Sequence, residues 1–257
     1  MYLLVKEMKT HSKELLLTIA YTVAVYVATV ALQIYQPATG GYFNLGEAMI
    51  YLAALTAGPL VAGIAGGIGS SLADLSTGYG IFAPATLVIK FTEGYVAGYL
   101  ARRFKGLRGK AIGALTGACY TALLLSFSVF YWRGKIYVGP EQWLSFKFES
   151  PLIEIPLAVW IIIAFVLGAL IAYSVAKNVY GGEAAAVLLS GLIMVTGYLL
   201  YEYFVSNPLT GRPPAAAFIE VPVNIGQAVI GAAIAIPLAS WLRRAGYVSS
   251  SGQGQGE

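Results

Sequence analysis

Of the 257 residues, 58% are hydrophobic and 11% are charged, with a formal net charge of +4, a mean hydropathy of +0.73 and a sequence pI near 9.0. Ordinary soluble domains carry about 25% charged residues, so the balance excludes a water-soluble fold and points to an integral membrane protein. The basic residues flank apolar segments instead of forming a stripe, which argues against nucleic acid as a partner.

One cysteine, Cys119, rules out an intrachain disulfide and argues against a Cys-based metal site. The lone histidine, His11, precedes the first apolar run and lacks co-ligands. No metal or other cofactor is expected.

In chain order, Met1 to Glu14 carries Lys6, Lys9 and Lys13. The apolar run that follows is too long for a cleaved signal and is expected to stay as a first span, Ser12 to Tyr35. It carries Ala20, Ala24 and Ala28 at four-residue spacing, a flat stripe suited either to internal packing or to docking a partner subunit.

A charge-free loop, Gln36 to Gly46, leads to two apolar segments, Glu47 to Ala57 and Pro59 to Leu75, split at Gly58-Pro59. The first is too short to span, because a crossing takes about 20 residues. The glycines of Gly63 to Gly69 are followed by no Lys-Ser or Lys-Thr, so they read as close helix packing, not as a phosphate loop.

Next comes a helix with Lys90 and Glu93 inside it, ending in the basic cluster Arg102, Arg103, Lys105, Arg108 and Lys110. Two further apolar segments, Ala111 to Tyr131 and Pro156 to Ala176, bracket a polar stretch whose Trp132 and Trp143 suit a membrane interface. Two last spans, Ala184 to Val205 and Ala216 to Leu242, end at Arg243 and Arg244, and a Ser/Gly/Gln tail follows. If the N-terminus is cytoplasmic, eleven of the sixteen Lys and Arg lie inside and four outside. That bias places both termini in the cytoplasm and the chain as a multi-pass protein of the cell membrane.

A charge at membrane depth costs about 2.5–3.5 kcal/mol on insertion scales, so it faces a partner, a cavity or a ligand. At about 1.5 Å per residue, Lys90 and Glu93 lie roughly 9 and 13 Å below the outer end of their helix. Glu202 lies one turn after Tyr198 near the outer end of its helix, and Asn224 and Gln227 share a face of the last helix, with Glu220 a turn above. All these groups fall in the outer half of the bilayer. They outline a cup for a small polar molecule, or else Lys90 and Glu93 form a plain ion pair and the amides join helices.

The order Asn44-Leu-Gly-Glu47, Ala54-Leu-Thr-Ala-Gly-Pro59, Gly66 to Asp74, Lys90-Phe-Thr-Glu-Gly94, Gly197 to Glu202 and Glu220 to Gln227 resembles the S components, the substrate-binding subunits of energy-coupling factor (ECF) vitamin transporters. The resemblance implies an all-α polytopic membrane bundle with a six-helix core (12–105 and 184–244). An inserted helical pair (106–182) departs from the family, and 245–257 is a flexible tail. It also implies capture of a water-soluble vitamin outside the cell, of riboflavin or pyrimidine/pyridine type, and ATP-driven release by a coupling subunit and ATPase subunits. Tyr42 and Asn44 would belong to a lid, while Lys90, Glu93, Tyr198, Glu202, Asn224 and Gln227 would line the site with Asn44. The Ala20, Ala24, Ala28 stripe is similar to the motif by which such subunits dock on the coupling protein.

Other functions stay open. A membrane scaffold of the cell-shape type would hold no tight ligand, and a secondary transporter would relay protons through Lys90 and Glu93. An intramembrane hydrolase lacks an embedded histidine or paired Gly-x-Gly-Asp motifs, so no enzyme activity is expected.

Overall fold

The computed structural model describes residues 2–36, 39–104, 134–137, 142–147, 152–177 and 181–248, with scattered positions between 115 and 126. Helix α1 (Tyr2–Ala31) leads into a hairpin of β1 (Gln33–Gln36) and β2 (Gly41–Asn44), paired antiparallel from Gln33 with Asn44 to Gln36 with Gly41. Then follow α2 (Gly46–Thr56), α3 (Pro59–Ser76) and α4 (Ala83–Arg103). Two small hairpins, β3 (Gly134–Tyr137) with β6 (Leu152–Ile155) and β4 (Gln142–Trp143) with β5 (Phe146–Lys147), precede α5 (Leu157–Lys177). The chain ends in α6 (Gly181–Tyr201), a π-helical turn at Glu202–Ser206, and α7 (Ala217–Arg244).

The first helix is shorter than its apolar run. It stops at Ala31, not Tyr35, because Gln33 to Gln36 pair as a strand with Gly41 to Asn44 and Gln33 is drawn inward to donate to Thr77 Oγ1 at 3.1 Å. What reads as a loop from Gln36 to Gly46 therefore belongs largely to a hairpin. The break at Gly58-Pro59 falls as the sequence predicts. Gly58 takes φ +106°, a conformation that favours glycine, and Pro59 opens α3 where its missing N–H has no helical partner to lose.

Helix α2 is the centre of the bundle, packed among α1, α3, α4 and α7, with nine of its eleven residues buried. Its length, roughly 16 Å at 1.5 Å per residue, cannot cross a bilayer. The glycines of α3 and α4 bring their backbones together. A Cβ on Gly98 would lie 2.6 Å from Pro59 Cα, and one on Gly67 would lie 2.7 Å from the Leu87 carbonyl oxygen. Close packing is thus the role of this glycine run.

Large apolar side chains such as Val23, Val27, Leu72, Leu75, Val88, Leu192, Leu200 and Phe204 point outward, while Glu47, Lys90, Glu93 and Glu202 are at most 2% exposed. This arrangement suits hydrocarbon as the surrounding solvent. Three runs among the described residues are long and apolar enough to cross: Ser12–Ala31, Gly182–Leu209 and Pro214–Arg244. The fold is an all-α membrane bundle; its strands make only short hairpins.

Of the expected inserted pair, the second helix is α5, which packs on α7. The first falls almost wholly outside the described residues, as do Lys105, Arg108, Lys110 and the tail from 249. On α1, Ala20 is exposed while Ala24 and Ala28 are half-buried.

Candidate ligand-binding site

The two ends of the bundle differ. One carries Arg102, Arg103, Arg243 and Arg244; there Arg243 pairs with Glu183 at 2.9 Å and donates to the Leu55 carbonyl at 3.0 Å. At the other, the hairpin end, the polar side chains gather.

Lys90 and Glu93 stand three positions apart on α4, which puts both on one face. Lys90 Nζ pairs with Glu47 Oε1 from α2 and lies 3.4 Å from Glu93 Oε2. Its ammonium is 5.4 Å from the centroid of the Tyr198 ring and also contacts Met194 Sδ. Glu93 accepts a second bond, 2.7 Å, from the Tyr51 hydroxyl. Gln227 of α7 ties this centre to the hairpin. Its Nε2 donates to Glu47 at 3.0 Å, and its Oε1 accepts from the Asn44 backbone amide at 3.0 Å and Asn44 Nδ2 at 3.2 Å. Asn44 Oδ1 in turn accepts from the Gly46 amide at the start of α2, at 2.8 Å.

A second set of contacts closes the hairpin over the bundle. The Tyr42 hydroxyl donates to Asp74 Oδ1 at 2.6 Å, and its ring lies 4.3 Å from that of Tyr79. Desolvation and the Asp74 carboxylate push the Tyr42 hydroxyl well above the usual tyrosine range, so it stays a donor. Thr39 donates to Glu220 of α7, and Thr86 bonds the Tyr198 hydroxyl at 2.9 Å.

Between the two sets lies a cavity. Six of the seven side chains expected at a ligand line it: Asn44, Lys90, Tyr198, Glu202, Asn224 and Gln227. The seventh, Glu93, stands behind Lys90. Thr29, Tyr42, Ser70, Asp74, Thr86 and Glu220 complete the polar lining. The space is narrow, about 30 Å³, room for about two waters.

Sequence reasoning missed the direct role of Glu47, which lies 43 residues from Lys90. The signal available was the acid in Asn44-Leu-Gly-Glu47, set at the start of a segment too short to cross. Asp74 and Thr86 were missed too: Asp74 is the one charge of α3 and was a usable signal, whereas Thr86 does not stand out in α4.

The charges facing the cavity are unequal. Asp74, Glu202 and Glu220 line it, whereas the one cation among its described lining residues, Lys90, is already answered by Glu47 and Glu93. Glu202 is 1% exposed, and its Oε2 has no hydrogen-bond partner among the described residues. It also opens the π-helical turn, a geometry frequent at functional sites.

Residues 11–131 match the family described as ECF-type riboflavin transporter, S component. The match covers a little under half of the chain, and over that stretch the chain is similar to the S components. The match runs past residue 106, into the segment read from the sequence as an insertion. A curated protein of Pyrococcus woesei, named "Uncharacterized protein in gap 3'region", is 43% identical over 100 residues, covering 39% of this chain and 67% of its own length. No solved structure matches the chain. The matched stretch and the apolar helices together support a multi-pass membrane protein of transporter type.

Proposed function

We propose that the cavity at the hairpin end captures a water-soluble vitamin or precursor outside the cell, of riboflavin or pyrimidine/pyridine type, for ATP-driven uptake by partner subunits. The observation that carries this reading is the meeting of Asn44, Lys90, Tyr198, Glu202, Asn224 and Gln227, from the hairpin and three helices, around one polar hollow in an otherwise apolar bundle. The positive-inside bias supports an outward-facing hairpin end and cytoplasmic termini.

In this reading the Lys90, Glu47 and Glu93 set is a fixed floor that orients Gln227 and Tyr198. Asn224 and Gln227 offer amide edges to a heterocycle, and Glu202 and Glu220 accept its N–H or O–H groups. Drug-sized ligands occupy roughly 300 Å³ or more, so entry requires the β1–β2 hairpin to lift, breaking the Tyr42 bond to Asp74. After capture that bond re-forms and shuts the site. Ala20, exposed on α1, and the half-buried Ala24 and Ala28 supply the docking stripe for the coupling subunit in this reading.

Thermal unfolding of the purified protein across a panel of vitamins tests the reading. A ligand at a hundred times its dissociation constant adds about 2.7 kcal/mol. A clear shift with one vitamin, lost in Asn224→Ala, is the expected result, and no shift with any vitamin would leave the scaffold reading in possession.

A further inference from the structure

Beyond the ligand cavity, toward the hairpin end, lies a second chamber of about 470 Å³. The two linings share Phe82 and touch neighbouring positions of three segments, while the β4–β5 hairpin adds Gln142 and Lys147 to the outer one alone. Asp74 gives way to Thr77, Gly41 to Gly40 and Glu202 to Ser206. The Tyr42 and Tyr79 rings, in contact with each other, line the inner and outer spaces respectively.

The two spaces differ in charge. The inner one has three carboxylates beyond those that answer Lys90. The outer one has Lys147 and Arg212 and no Asp or Glu among its described lining residues. Neither cation has a carboxylate partner among the described residues. Arg212 is held in place: its Nη1 donates to Thr210 Oγ1 at 2.8 Å and its backbone amide to the Asn207 carbonyl at 2.8 Å. Thr210 is anchored by a 2.7 Å bond to the Ser206 carbonyl. Ser206, 1% exposed, lines the chamber with a hydroxyl that has no partner among the described residues, and the neighbouring Asn207, 0% exposed, has both side-chain polar atoms in the same condition. Buried polar groups of this kind are as a rule hydrogen-bonded.

We infer that this outer chamber holds a phosphate group carried by the ligand whose ring occupies the inner cavity, a reading that rests on the function proposed above. A guanidinium fork, an ammonium and a serine hydroxyl are the donors that phosphate oxygens take. The steps from Asp74 to Thr77 and from Glu202 to Ser206 are each about one helical turn, roughly 5.4 Å, the reach of a spacer of a few carbon atoms between ring and phosphate. The inner carboxylates would repel the phosphate, so the charge pattern also fixes which end of the ligand enters first.

Binding isotherms in phospholipid-free detergent test the inference, using riboflavin against riboflavin 5′-phosphate, pyridoxine against pyridoxal 5′-phosphate, and inorganic phosphate alone. The phosphorylated member of one pair is expected to bind at least tenfold tighter. Lys147→Gln with Arg212→Gln abolishes that preference and leaves the unphosphorylated member's affinity in place, while Arg212→Lys retains part of it. Equal affinities within a binding pair, or a loss shared by both members in the double variant, would overturn the inference and leave the vitamin reading standing. Stabilisation by inorganic phosphate without preference for an ester would assign the chamber to a free anion and overturn the tethered form. If no vitamin binds, the proposed function fails. Inorganic phosphate then decides alone: binding lost in the double variant keeps the chamber as a phosphate site, and no binding removes it.

Discussion

Glu93 and Glu202 are equally buried, at 0% and 1% exposure, yet their surroundings are opposite. Glu93 has Lys90 on one oxygen and the Tyr51 hydroxyl on the other. Glu202 faces Glu220 across a cavity, and one of its oxygens has no partner among the described residues. Burial alone therefore does not mark a functional acid; what separates the two is whether the protein supplies the answering donor. The first carboxylate is part of the frame, and the second is reserved, in our reading, for what enters.

The largest effect that would break this contrast comes from Lys90→Met, which strands Glu47 and Glu93. A loss of about 3–5 kcal/mol is expected, read as a lower thermal midpoint in detergent, and Lys90→Met joined with Glu47→Gln and Glu93→Gln should recover most of it. A midpoint unchanged by Lys90→Met would show that the ion set is not a structural floor. Glu202→Gln is expected to act the other way. Stability without ligand stays level or rises by about 1 kcal/mol, because one of two acids crowded at the cavity is removed, while affinity for the cognate vitamin falls about tenfold, or about 1.4 kcal/mol. Equal losses of stability in the Lys90 and Glu202 variants would erase the distinction. Smallest is Tyr42→Phe, which removes one hydrogen bond of about 0.5–1.5 kcal/mol. It should speed ligand dissociation several-fold with little change in association, as stopped-flow fluorescence would record.

Much of this architecture is legible in the chain itself. Gly58-Pro59 announces the break between α2 and α3, and the polar residues of α4, α6 and α7 can be set at one depth by counting 1.5 Å per residue. The hairpin is not legible, because Gln33 to Asn44 lacks the charge or strict alternation that would mark strands against the preceding apolar run. Nor is the pairing of Lys90 with Glu47, since side chains 43 positions apart meet only through the packing of α2 inside the bundle. The π-helical turn after Tyr201 has no sequence signature, and it is found only from its backbone bonds.

The distance along the chain between Glu47 and Lys90 also bears on how the protein is made. Neither α2 nor α4 is among the runs apolar and long enough to cross on its own, and each brings to the translocon an ionised group that the other neutralises. Glu47 and Lys90 can neutralise each other only after both α2 and α4 have been synthesised.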